Sequence, residues 1–264
     1  MIFGVSSSCF YPMELSSSIE GLASRGVKQI EIFVNTESEV KQDFIKTIRN
    51  IIAPYGVKVT SVHPFTSGYE HIMIFSDYKK RFYDAVEFYK QYYCFAAELG
   101  ARLVVLHGDR RMPEMGGIPN EEYFERYYKL AQTGRKMGVD LGQENVNMFR
   151  SQSPAFVKQM REYLGKDASF VFDIKQAVRA GCSPYDMCSA MGDRIIHLHI
   201  NDNTPARDCM LPGKGDMDYR KMLTRMKNQG FSGKGVIEVY RRDFDTIDDI
   251  VGAYNYLNTE FGDI

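Results

Sequence analysis

In residues 194–203, RIIHLHINDN, two of the chain's five histidines stand two positions apart in an apolar run. Positions i and i+2 of a β-strand share a face. His197 and His199 therefore point one way, and Ile196, Leu198 and Ile200 point the other, where they are expected to pack on helices. Paired imidazoles cost little on a half-solvated sheet; inside a barrel with a metal at one end they have a purpose. Other apolar runs end in residues of the same kind. KVTSVHPF delivers His63, LVVLHGD His107, VDLGQENV Glu144, FVFDIKQ Asp173 and GVIEVY Glu238. Each alone has an ordinary explanation as a loop residue, a helix cap or half of a surface pair. Their joint occurrence does not. Glu144 and Glu238 follow apolar residues, and burying either carboxylate is expensive unless a cation or donor faces it. Three carboxylates and the imidazole of His199 form an oxygen-rich set suited to a divalent ion. His199 lies nearer the strand's C-terminal end and is expected as the ligand. His197, one layer deeper, is expected to bond within the core or to support the site from below.

The elements that would position these groups alternate regularly. Short β-rich runs fall near 2–7, 28–34, 57–63, 102–107, 139–144, 169–174, 194–200 and 235–240. Helical patterns fill 13–25, 38–53, 77–99, 119–137, 152–164, 183–191, 217–229 and 245–258. In 77–99, Phe82, Val86, Tyr89, Tyr93 and Ala96 recur at steps of three and four. Several helical patterns end at glycine just before the next strand, as in ASRGVKQIEI and AELGARLVVL, which is C-cap chemistry. Eight β-then-α units predict an α/β fold, a (β/α)8 barrel formed by one domain over residues 1–264. The rival is an open doubly wound sheet, but no GxGxxG or P-loop follows any strand. In the barrel, catalytic groups come from the C-terminal strand ends, where the six candidates lie.

Bulk properties narrow the function. With 33 basic and 34 acidic residues the formal net charge is −1, which offers no general attraction to nucleic acid or anionic lipid. Five cysteines form no CxxC pair. With no signal-like N-terminus and no long apolar span, they read as reduced thiols of a cytoplasmic protein with no membrane partner.

At these same residues the chain resembles the xylose-isomerase-like TIM-barrel superfamily. That group includes sugar-phosphate isomerases and epimerases, ketose 3-epimerases, inosose dehydratases and endonuclease IV. The resemblance runs the whole length and is carried by GQENV, FDIKQAVRAG, HLHINDN, LPGKGDMDY and VIEVY. It implies that Glu144, Asp173, His199 and Glu238 hold one divalent metal, and that the two glutamates also serve as acid and base. Hard ligands favour Mn²⁺ or Mg²⁺, with Zn²⁺ or Co²⁺ as alternatives. The chain departs from the nuclease pattern in two places. Gln176 stands where a further histidine follows the aspartate, and Asp208, Cys209 and Met210 replace an Asp-x-His. His63 and His107 match the nuclease's remaining histidines. A trinuclear cluster would thus lack two imidazoles, so no nucleic-acid substrate and no cleavage of abasic DNA are expected. The ketose epimerases also usually carry a histidine at Gln176.

The expected function is that of a metal-dependent isomerase or epimerase acting on a small sugar or sugar phosphate through an enediolate. The alternatives are a dehydratase-like lyase using the same metal and, further off, a nuclease or a non-catalytic sugar-binding protein. His63, His107, Gln176 and Arg207 are the expected substrate contacts. Lys175 is a weaker candidate than its neighbour Gln176. Arg110 and Arg111 could hold an anion at the strand-4 mouth, and the aromatic loop 64–76 could form a partial lid. A homodimer is expected from Tyr83, Phe88, Tyr92 and Phe95, which lie partly off the core stripe of helix 77–99.

Overall fold

A computed structural model describes residues 1–110 and 117–264, and only the backbone of residue 67. Eight parallel strands close into a barrel. They are β1 (Ile2–Ser6), β2 (Gln29–Phe33), β3 (Lys58–His63), β4 (Leu103–Leu106), β5 (Asp140–Glu144), β6 (Phe170–Asp173), β7 (Ile195–Ile200) and β10 (Lys234–Ile237). Each strand pairs with the next in sequence, and β10 closes on β1. The outer layer holds α1 (Leu15–Ser24), α2 (Gln42–Ile52), α4 (Lys79–Glu98), α5 (Asn120–Arg135), α6 (Pro154–Leu164), α8 (Pro184–Met191), α9 (Tyr219–Asn228) and α10 (Ile247–Phe261). The (β/α)8 expectation is met. The glycines read as C-caps, among them Gly26 and Gly100, have φ of 89° and 76°, the left-handed region that glycine enters at no steric cost. No helix among the described residues is long and apolar enough to cross a membrane.

Four short elements escaped the periodicity. α3 (Ser67–Met73) forms within the loop after β3, α7 (Ile174–Arg179) follows β6 without a break, and β8 (Asp202–Thr204) and β9 (Arg207–Met210) make an antiparallel hairpin after β7. None is long enough to show a helical or alternating pattern.

Strand register fixes what faces the barrel axis. Asp173 pairs with His199, and Val171 with both Glu144 and His197. The β6–β7 pairing shifts between Phe170 and Val171. That irregularity overturns one expectation. Ile196 does not join Leu198 and Ile200 in the helix-facing core but packs with Leu103, Val105 and Val171 in a separate apolar cluster. A Cβ on Gly142 would meet Val171 Cγ2 at 2.7 Å and Leu103 Cδ1 at 3.0 Å, so only glycine fits beside that plug. The apolar layer closes the barrel beneath the polar residues at its C-terminal end.

The loop 64–76 is a packed excursion, not a lid over the barrel mouth. Glu70, buried, accepts from Tyr89 Oη (2.8 Å) and from the Gly108 amide (2.5 Å). Phe75 stacks on Tyr123 with centroids 4.0 Å apart. These contacts tie the loop to α4, α5 and the turn after β4. The motive for a dimer weakens too. Tyr92 and Phe95 are fully buried within the single chain and Phe88 packs against the core, so of the four rings only Tyr83 stands exposed.

Candidate metal centre and active site

The C-terminal strand ends deliver their side chains to one place. One potential ligand atom from each of Glu144, Asp173, His199 and Glu238 lies within 4.8 Å of the others. His199 Nδ1 is the hub, 3.1 Å from Glu144 Oε1, 3.2 Å from Glu238 Oε2 and 3.7 Å from Asp173 Oδ2. Its other nitrogen, Nε2, is 3.2 Å from Glu31 Oε2. A carboxylate behind an imidazole fixes ring orientation and tautomer, the arrangement that supports histidine ligands in metal sites. Glu31 also lies 3.3 Å from His197 Nε2 and accepts from Ser61 Oγ at 2.7 Å. The two histidines of the HLH run thus share one buried carboxylate. His199 reaches the centre and His197 supports it from below.

Asparagines hold the aspartate in place. Asn145 Nδ2 donates to the Asp173 carbonyl and Asn145 Oδ1 accepts from the Asp173 amide, both at 2.8 Å. Asn201 Nδ2 donates to Asp173 Oδ1 at 3.2 Å. The same carboxylate caps α7 by accepting from the Gln176 amide at 3.1 Å, which locks the rotamer that aims Oδ2 at the centre.

On one side of the hub, Lys175 Nζ bridges Asp173 Oδ2 and Glu238 Oε2 at 2.5 Å each. On the other, Glu144 faces His107 Nε2 at 2.9 Å and His63 Nε2 at 3.6 Å, and the two ring nitrogens are 2.9 Å apart. Glu144 Oε2 is buried yet makes no well-aligned hydrogen bond. The Nδ1 of His63 lies 3.1 Å from the Pro64 carbonyl, to which it can donate. His107 is held by the turn at Gly108, whose φ is 92° and where a Cβ would strike Tyr123 Oη at 2.1 Å.

Electrostatics follow this layout. Burial alone would push Glu144 up, but the imidazoles of His107 and His199 outweigh it and hold the carboxyl well below its ordinary range. Burial opposes the ionised form of Glu238 too, and Lys175 and His199 together hold it far down. Asp173 is raised, because burial and the nearby glutamates outweigh Lys175. Burial would lower His199, but Glu238, Glu31 and Glu144 lift it well above the usual imidazole value. The centre is rich in anionic charge, and buried oxygens of Glu144, Glu31 and Asn201 lack an aligned donor.

Above it opens a cavity of about 720 Å³, lined among others by Ser8, Phe33, His63, His107, Glu144, Lys175, Gln176, Arg179, Glu238, Tyr240 and Arg242. That volume suits a small metabolite. His63, His107 and Gln176 stand on its wall. Arg207 does not: it is exposed on β9, 3.2 Å from Asp243, and opens on a neighbouring pocket of about 660 Å³. The hairpin carries it away from the axis. Arg110 lines a third pocket with His71 and Arg81, and Arg111 lies outside the described residues. Sequence reasoning missed Glu31, the fixing asparagines, Ser8 and Tyr240, and it ranked Lys175 below Gln176. A carboxylate inside the apolar run QIEIF was the signal for Glu31.

A family model described as xylose isomerase-like TIM barrel matches residues 19–258. The chain belongs to that family. An uncharacterized protein of Mycobacterium tuberculosis is 26% identical over 263 residues, covering 89% of this chain and 88% of that one. Fructoselysine 3-epimerase of Shigella flexneri is 23% identical over 216 residues, covering 76% of this chain and 75% of its own. Among solved structures, a D-tagatose 3-epimerase-like protein superposes with a TM-score of 0.78 at 24% identity, over 98% of this chain and 96% of its own. D-psicose 3-epimerase, solved in the presence of D-fructose, gives 0.78 at 16% identity, over 99% of this chain and 100% of its own. These likenesses establish the shared barrel.

Proposed function

We propose that this member of the family is a metal-dependent isomerase or epimerase of a ketose or ketose derivative. The observation that carries this reading is the placement of Glu144 and Glu238 on either side of Asp173 and His199, each with one oxygen toward the hub and one turned away. Glu144 Oε1 and Glu238 Oε2 face His199, while Glu144 Oε2 faces His107 and Glu238 Oε1 accepts from Ser8 Oγ at 3.3 Å. The residues suit a hard divalent cation: four convergent donors, three of them carboxylates, and a buried Glu144 oxygen without an aligned donor. Glu144, Asp173, His199 and Glu238 would hold it. When bound, such an ion polarises adjacent carbonyl and hydroxyl oxygens of an open-chain sugar and so acidifies the C–H between them.

The protein's own groups then divide the proton work. Glu238, kept ionised by Lys175, takes the proton from carbon and leaves an enediolate. On the other side Glu144, itself held ionised by its imidazole neighbours, relays a proton to carbon from His107, whose Nε2 is 2.9 Å away. In the reverse direction the roles exchange. The similarity to fructoselysine 3-epimerase and to the ketose 3-epimerase folds supports epimerisation at the carbon next to the ketone. The test is solvent exchange. Mn²⁺-loaded protein is incubated in D₂O with a panel of ketoses and their phosphate esters, and products are followed by NMR. Deuterium should enter beside the carbonyl of at least one sugar; no exchange into any of them would reject the reading.

A further inference from the structure

The mouth of the cavity differs in charge from its floor. The floor carries Glu144, Asp173 and Glu238, and the mouth carries arginines grouped around one ring. The Arg179 guanidinium lies 5.6 Å and that of Arg242 5.1 Å from the centroid of Tyr240, and Lys175 Nζ approaches the same ring at 5.7 Å. Cations over an aromatic face are held in place without losing their charge. Arg179 also donates to Tyr240 Oη and stands 3.4 Å from Asp208. Arg242 makes no ion pair among the described residues. Arg241 is otherwise engaged, donating to the carbonyls of Phe244 (2.7 Å) and Asp245 (3.1 Å).

Arg179 and Arg242 line both the main cavity and the neighbouring pocket that holds Arg207. They form the wall between the two. The neighbouring pocket is lined by three arginines and two aspartates, with Asp208 facing Arg179 and Asp243 facing Arg207. An anion is repelled by the floor and attracted by this wall, and the shared Tyr240 ring keeps the wall within reach of a ligand seated on Lys175 and Glu238.

We infer that the substrate carries an anionic group, a phosphate or a carboxylate, at the end remote from its reacting carbons, and that Arg179 and Arg242 bind it. This rests on the proposed sugar chemistry for what occupies the floor. The anion would take charge-assisted bonds from one or both guanidinium forks and would orient the chain of the sugar with its ketone end down. Both arginines are exposed, so solvent and salt screen the pairing. A modest preference is expected, about tenfold.

Binding of D-fructose, its 6-phosphate and the matching 6-carboxylate is measured by calorimetry on the full chain and on Arg179→Ala/Arg242→Ala, with unfolding curves to confirm that the variant folds. Inorganic phosphate is titrated alongside. In the unaltered protein one of the charged sugars should bind about tenfold more tightly than fructose, and which one does so separates phosphate from carboxylate. In the variant that ratio should fall toward one, and inorganic phosphate should bind about tenfold more weakly. Equal affinities for charged and neutral sugar, or a preference that survives the double substitution, would overturn the inference. If no sugar binds, phosphate decides alone: weaker phosphate binding in the variant upholds the arginine wall while the failed solvent exchange removes the sugar reading, and unchanged phosphate binding removes the wall.

Discussion

The floor of the cavity has two unlike sides that meet at His199. On the β6–β10 side, Asp173 and Glu238 already share a cation, the ammonium of Lys175. On the β3–β5 side, Glu144 faces only imidazoles and keeps one buried oxygen without an aligned donor. One side is neutralised from within the chain; the other has a carboxylate to satisfy. A divalent ion at the four convergent donors would therefore meet a competitor on one side and an open ligand on the other. Both glutamates are held ionised, Glu238 chiefly by an ammonium and Glu144 by imidazoles, and the proposed division of proton work rests on that difference in neighbours.

Removing either of the carboxylates proposed to transfer protons should have the largest effect. Glu144→Gln and Glu238→Gln are each expected to lower solvent exchange by about 10²–10⁴-fold, with any loss of metal adding to that. Near-normal rates in either variant would break the comparison, because that side would then play no chemical part. Next comes Glu31→Gln. It leaves all four expected ligands in place but removes the carboxylate behind His199 Nε2. Mn²⁺ affinity measured by electron paramagnetic resonance should fall roughly 10–100-fold. No change would mean that Glu31 serves only the fold.

Glu31 also shows how much of the site could be read from sequence. Residues ending parallel strands must face the barrel mouth. Glu144, Asp173, His199 and Glu238 were legible for that reason, and so was the fold, from eight repeats of strand and helix. A residue in mid-strand has no such marker. Glu31 sits inside QIEIF, where simple alternation leaves open which face the odd positions take until the register with β3 is known. Lys175 was hidden differently. A lysine two residues past a strand resembles a surface charge, and only the immediate start of α7 turns its chain back over Asp173. Arg207 lies off the main cavity for the converse reason, because the short β8–β9 hairpin redirects it and leaves no trace in hydrophobic periodicity.

Lys175→Met sharpens the contrast between the sides. It removes the ammonium while keeping a side chain of similar length. Mn²⁺ affinity should rise by about tenfold, as expected when a charged hydrogen-bonding competitor for two ligands is lost. Unchanged or weaker binding would show that the lysine and the ion do not compete. The smallest effect is that of pH. The carboxylates around His199 raise its pKa well above 6.5, outweighing burial. Below that raised value the ring keeps its proton, and a metal must displace it. Mn²⁺ affinity should therefore fall as pH drops and still be climbing above pH 6.5, by up to about tenfold per pH unit for one proton released. A flat profile between about pH 6 and 9 would mean that the imidazole is not a ligand.

The most direct test of the whole account is the anomalous scattering of crystals soaked in Mn²⁺. One ion per chain is expected within about 2.0–2.6 Å of at least three of Glu144, Asp173, His199 and Glu238, with Lys175 displaced from between Asp173 and Glu238. Crystals in which Lys175 stays in its bridge and no ion lies within that range of three of these side chains would contradict it.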